Sequence, residues 1–172
     1  MKKDPVVIFI EGLKQAGIDF VASLPSRSLS PVIDAIARDS DFIHVPLANE
    51  EDGIGICAGA WLGGKRPALL VQSTGFVKAM WPLLEVTDDL GGVPLLLVVD
   101  YRGGFGEVYP QYFSVGHQTP KILASFHIPY TIVQHSSQLI EAFVRGEKTT
   151  EGSGKAAVIL LNAEDMQVKL NW

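Results

Sequence analysis

Residues 47–65 read LANEEDGIGICAGAWLGGK. Asn49 and three carboxylates, Glu50, Glu51 and Asp52, stand in front of a run made almost wholly of Gly, Ala, Ile, Cys, Trp and Leu. The spacing predicts a helix over 50–62, with negative charge where the helix N-terminus favours it. The small and apolar residues behind the charges suit burial, so three carboxylates open a segment built for a protein interior. All three can complement the positive end of that helix; the other reading is that one of them is held there for chemistry.

Outward from this helix, short β-type runs alternate with amphipathic ones. Asp4-Pro5 is a helix start, Val6, Val7, Ile10 and Leu13 repeat at helical spacing, and Gly17 ends the segment. Strands are expected at 20–24, 42–47, 68–72, 95–99, 130–133 and 156–161. Helices are expected at 30–38, 50–62, 78–90, 119–126 and 137–145. This alternation implies right-handed crossovers. The fold class is α/β, with three layers: a six-stranded, mainly parallel sheet and helices on both faces, in one domain over residues 1–172. The unbroken apolar runs LLLVV and AVILL suit strands covered on both sides. Ligands of such sheets sit at the carboxyl ends of the strands, after Leu24, Leu47, Gln72 and Asp100. The loop PSRSLS (25–30) is short and polar. YRGGFGEVYPQYFSVGHQ (101–118) is long enough to serve as a lid. GEKTTEGSGK (146–155) reads as a polar surface connection.

The chain has 172 residues, 47% of them hydrophobic, with a net charge of −5. Its mean hydropathy of +0.22 is high for a small soluble monomer and points to surface covered by another chain. Scattered cations on an acidic chain exclude nucleic acid and anionic membranes as partners. The single cysteine, Cys57, rules out an internal disulfide and fits a cytoplasmic location. Residues 59–65 match seven positions of a phosphate-binding loop, but Arg66 replaces the required Ser or Thr and the run closes a helix instead of opening one. Gly53, Gly55 and Gly59 miss the dinucleotide fingerprint by one residue. The histidines, His44, His117, His127 and His135, have no metal-ligand spacing, so no metal site is expected in this chain.

The run from Ala22 to Lys65 resembles the pyrimidine-binding domain of thiamine-diphosphate enzymes. Leu24-Pro25 stands at the family's Tyr-Pro, Pro31 and Asp34-Ala35 at its helix Pro and Asp-Ala, Glu51 at its glutamate, and Trp61 at the aromatic position ten residues on. The closer resemblance is to the small subunits of sulfopyruvate decarboxylase and the matching half of phosphonopyruvate decarboxylase. It rests on the Glu-Glu-x-Gly-Ile-Gly-x-Cys-Ala-Gly-Ala run, the turn Gln72-Ser73-Thr74-Gly75, Tyr101-Arg102-Gly103 and Thr119-Pro120-Lys121-Ile122-Leu123. The turn departs from the family at Val77-Lys78, which bears on the substrate more than on the cofactor.

The resemblance implies that Glu51 shares a proton with a pyrimidine nitrogen of thiamine diphosphate, so that the cofactor can lose its thiazolium proton. Burial beside apolar residues such as Ile54, Ile56 and Ala58 suits that task by disfavouring the anion. Pro25, Gln72, Ser73, Thr74 and Gly75 are the implied cofactor contacts. Ser26, Arg27, Lys78, Arg102 and His117 are the substrate candidates, with guanidinium groups suited to an oxyanion. The family's Gly-Asp-Gly…Asn motif, which holds magnesium and diphosphate, is missing: the asparagines are Asn49, Asn162 and Asn171. A second subunit carrying the diphosphate-binding domain and most of the magnesium site is therefore implied, with self-association in the assembly. The implied reaction is decarboxylation of a small 2-oxo acid with an anionic tail, sulfopyruvate or phosphonopyruvate, to the aldehyde. An acetolactate-type carboligase subunit and a catalytically degenerate scaffolding subunit are the alternatives.

Overall fold

The computed structural model describes residues 3–103 and 107–162. The Asp4 carboxylate accepts the Val6 N–H and caps α1 (Pro5–Gln15), whose first turn holds a proline that needs no donor. The chain continues through β1 (Phe20–Ser23), α2 (Ser30–Arg38), β2 (Ile43–Pro46), α3 (Glu50–Leu62) and β3 (Pro67–Gln72). Next come α4 (Ser73–Phe76), α5 (Met80–Leu84), a π-turn over Glu85–Asp89, and β4 (Leu95–Asp100). It closes with α6 (Pro110–Ser125), β5 (Tyr130–Val133), α7 (Leu139–Ser153) and β6 (Ala156–Leu161). The strands lie in the order β2-β1-β3-β4-β6-β5 and every neighbouring pair is parallel.

Alternation along the central strands feeds two cores. Leu70, Leu96, Val98 and Ile159 face the α1, α2 and α7 side, where Phe9 and Phe143 meet edge to face at 4.8 Å. Leu69, Val71, Leu97, Val99 and Val158 face the side of α3, α5 and α6. Both faces are covered, as a parallel sheet requires. From β1 the chain runs outward to β2 through α2 on one face; from β3 it runs to β4 through α4 and α5 on the other. The order therefore reverses between β1 and β3, and ligands of open sheets bind at such a switch point.

Three expectations from sequence are corrected. The loop expected over 101–118 is helical from Pro110 onward, because α6 begins there and carries Pro120 inside it; positions 104–106 lie outside the described residues. A proline there strips the Gly116 carbonyl of its helical donor; the Tyr101 hydroxyl supplies the missing bond at 3.0 Å. Gly103 and Gly116 also meet backbone to backbone, so closely that a Cβ on either would overlap the other segment. The stretch 146–155 is likewise no loop: α7 runs to Ser153 and ends at Gly154 with φ 68°. Glu147 and Thr150 are buried there, with Arg66 reaching Glu147 at 3.7 Å. Finally, the helix expected over 78–90 begins only at Met80 and passes into π geometry over Glu85–Asp89, leaving Lys78 exposed between α4 and α5. No helix among the described residues is long and apolar enough to cross a membrane.

Candidate active site

The carboxyl ends of β1, β2, β3 and β4 bring together the 24–29 loop, the start of α3, the Ser73–Gly75 turn and the segment after Asp100. At α3, Asn49 is the N-cap: its side-chain oxygen accepts the Asp52 N–H at 2.8 Å, and its amide donates to the Asp52 carboxylate at 2.7 Å. That reciprocal cap holds Asp52 at the surface. The buried stripe of α3 is Glu50, Gly53, Ile54, Cys57 and Ala58, the set that a 3.6-residue period generates. Glu51 lies off the stripe and is exposed. The expectation that Glu51 is the buried carboxyl is therefore corrected by one residue: the acid turned inward is Glu50, 9% exposed.

Glu50 leans against Gly75. A Cβ at position 75 would coincide with the Glu50 carboxyl group, so only glycine leaves room for it. The carboxyl makes no hydrogen bond with the described residues, although it stands at a polar turn. Beside it, Ser73 is buried and its hydroxyl has no partner. Thr74 and Gln72 are half-buried. Asp100, 2% exposed, accepts the Ser26 hydroxyl at 3.0 Å, and its second oxygen is unpartnered among the described residues. Burial pushes its carboxyl above the ordinary range, and hydroxyl donors from Ser26 and Ser28 pull the other way. Sequence reasoning passed over Asp100, although a charge ending the apolar run LLLVVD was a visible signal.

The substrate candidates separate. Pro25 and Arg27 are exposed at the mouth of the switch point, and Ser26 between them is buried. Arg102 is committed elsewhere: it grips Glu107 through two bonds of 2.8 Å and lies over the rings of Tyr112 and Tyr109. His117 is exposed on α6 and belongs to no loop. Burial pushes the Cys57 thiol to about 12, so it is packing and not a nucleophile. His44 is paired with the Ser23 hydroxyl at 2.9 Å. Among the described residues no three His, Cys, Asp or Glu side chains are grouped to hold a metal.

The Arg102 guanidinium holds the Glu107 carboxyl down at about 2. A depressed carboxylate pKa means that the clamp is intact above the ordinary value of 4.5 and is lost as pH falls toward about 2. The N–H groups of Gly103, Val108 and Tyr109 all donate to Glu107. In an NMR titration their resonances are expected to move with a midpoint near 2; a midpoint at the unperturbed value of about 4.3 would mean that Arg102 is free.

The doubly covered parallel sheet is a fold that this chain shares with a solved structure. The chain matches an enzyme of Mycobacterium smegmatis described as thiamin diphosphate-dependent, with a TM-score of 0.73 and 16% identity, over 95% of this chain and 31% of that one. That likeness concerns the fold alone. The sulfopyruvate decarboxylase alpha subunit of Methanothermobacter thermautotrophicus is 31% identical over 162 residues, 94% of this chain and 98% of the relative. The alpha subunit from Methanococcus maripaludis is 35% identical over 123 residues, 70% and 71% of the two chains. The chain belongs to the sulfopyruvate decarboxylase alpha-subunit family. No family model matches it.

Proposed function

We propose that the chain is one half of a two-subunit, thiamine-diphosphate-dependent decarboxylase of a short 2-oxo acid with an anionic tail, sulfopyruvate or phosphonopyruvate, releasing CO2 and the aldehyde. The observation that carries this reading is the Glu50 carboxyl, withdrawn from solvent against Gly75 without a hydrogen-bond partner among the described residues. A carboxyl so placed can share a proton with a ring nitrogen brought to it. Thiamine diphosphate, when bound, supplies the carbon nucleophile and the electron sink for loss of CO2.

The residues present fit the pyrimidine end of that cofactor. Glu50 offers the proton-sharing oxygen. Ser73 offers an unsatisfied buried hydroxyl, and Gly75 leaves the space that a side chain would fill. Gln72, Thr74 and Pro25 complete the rim. The diphosphate and magnesium are assigned to a second subunit, because this chain has no Gly-Asp-Gly…Asn string. Support for covering chains, the partner and a second copy of this one, comes from large apolar side chains left exposed on two helices: Ile56 and Leu62 on α3, and Trp81 on α5. Arg27 is the cation assigned to the anionic tail, with the exposed Lys78 and His117 as further candidates.

Co-expression with a subunit that carries the Gly-Asp-Gly…Asn motif tests the reading. The complex is expected to release CO2 from sulfopyruvate or phosphonopyruvate only when both chains, thiamine diphosphate and magnesium are present. Conversion of pyruvate to a carbon–carbon ligated product, with neither anionic acid consumed, would assign the chain to the acetolactate type. Assembly without any turnover would make it a scaffold.

A further inference from the structure

Asp100 ends β4 at the centre of the sheet, on the face that carries α2. An ionised carboxylate is acceptor-only, so any neighbouring hydroxyl must turn its proton inward to bond it. Ser26 does so at 3.0 Å, and Ser28 is buried two residues further along the same loop. Ser26 is locked further: its Oγ accepts the Leu29 N–H at 3.2 Å, and its carbonyl accepts the Ser30 N–H at 2.9 Å and the Ser30 hydroxyl at 2.7 Å. The loop between β1 and α2 is thus pinned from beneath by one buried carboxylate.

The residue after the pinned Ser26 is Arg27. With Ser26 and Ser28 buried, Arg27 is exposed and makes no hydrogen bond or ion pair with the described residues. The other guanidinium at this end of the sheet, that of Arg102, is neutralised by Glu107. One cation at the mouth is therefore committed and one is left for a ligand. Holding Arg27 in place costs a buried carboxylate with an unsatisfied oxygen, a feature that a fold does not need merely to close a turn.

We propose that Asp100 is a positioning residue for an oxyanion subsite: through Ser26 it fixes the 25–30 turn so that Arg27 is presented to the sulfonate or phosphonate tail of the substrate. This rests on the assignment of an anionic-tailed 2-oxo acid made above. Neutralising Asp100 to Asn replaces one acceptor by a donor, so the anchor of the Ser26 hydroxyl is weakened while the volume stays the same.

The test uses the two-subunit complex and compares wild type, Asp100→Asn, Ser26→Ala, Arg27→Ala and the Asp100→Asn/Arg27→Ala double variant. Asp100→Asn is expected to raise KM for sulfopyruvate about tenfold with kcat changed by less than about twofold, and to lower the kcat/KM preference for sulfopyruvate over pyruvate by a similar factor. Ser26→Ala is expected to give the same split, and it carries the kinetic test alone if Asp100→Asn does not fold. The double variant is expected to match Arg27→Ala, because residues acting through one another are not additive. Equal changes toward both acids, or additivity in the double variant, would overturn the proposal. A second readout needs no turnover: amide hydrogen exchange at Leu29 and Ser30 in the complex should accelerate about tenfold or more in either single variant. Unaltered exchange overturns the proposal. A wild-type complex that consumes neither anionic acid overturns the functional reading instead, while faster exchange still supports the pinning role of Asp100.

Discussion

Glu50→Gln, assembled with the partner subunit, is expected to lower turnover by about 10²–10⁴-fold, the usual contribution of a positioned acid–base group. The amide has nearly the volume of the carboxyl and can still make a hydrogen bond, but it has no titratable proton to share. Assembly and melting temperature are expected to stay near wild type, because Glu50 makes no hydrogen bond or ion pair with the described residues whose loss would be felt. Glu51→Gln is the matched comparison. That side chain is exposed beside the buried stripe of α3, and its replacement is expected to change turnover by less than about threefold. Turnover kinetics of the two variants side by side decide between adjacent residues that composition cannot tell apart. A collapse on Glu51→Gln with Glu50→Gln unaffected would reverse the assignment.

Gly75→Ala tests the same site from the opposite wall. The added Cβ falls where the Glu50 carboxyl now lies, so one of the two must move. The carboxyl is the free end of a flexible side chain and gives way more cheaply than backbone. Stability is therefore expected to fall by no more than about 1–3 kcal/mol, the range for modest overpacking. Catalysis is expected to suffer more, because a displacement of about 1 Å in a catalytic group costs on the order of 10²-fold. Thermal melting and turnover, measured together, check this asymmetry. Gly55→Ala is the control: a Cβ there meets nothing within 4 Å in this chain, so any effect it has reports on a neighbouring subunit.

The two predictions also mark where sequence reading stopped. The layers and the parallel sheet were legible because runs such as LLLVV and AVILL can only be strands covered on both faces, and the intervening segments repeat at helical spacing. Boundaries failed where a tertiary contact outweighed a local signal. Pro120 reads as a helix start, yet it sits inside α6 because Tyr101 takes over the hydrogen bond that the proline removes. The glycines and threonines after Arg145 read as a loop, yet α7 continues because Glu147 and Thr150 are buried beneath Arg66. Neither compensation is visible along the chain.

The buried carboxyl, Glu50, stands one residue before the acid that the family spacing picks. A gap-free comparison with the family pattern puts Glu51 in the acid position. Helical periodicity argues otherwise, since counting back four from Ile54 and seven from Cys57 reaches Glu50. That signal was present in NEEDGIGICAGA and was outweighed by the family spacing. The glycine opposite, Gly75, was placed at the cofactor by resemblance, and its fit against a carboxyl emerges only in three dimensions. Arg102 shows the reverse error: an arginine in a functional loop reads as a ligand group until Glu107, five residues on, is seen to hold it.

The central claim is that Glu50 is the proton-sharing acid of a half-site whose diphosphate-holding half lies on another chain. A crystal structure of the two-subunit complex with thiamine diphosphate and magnesium measures it directly. The account predicts a Glu50 carboxyl oxygen within about 3 Å of a pyrimidine ring nitrogen, with the diphosphate and metal held by the partner. Glu51 at that distance, or a pyrimidine ring remote from both acids, would contradict it.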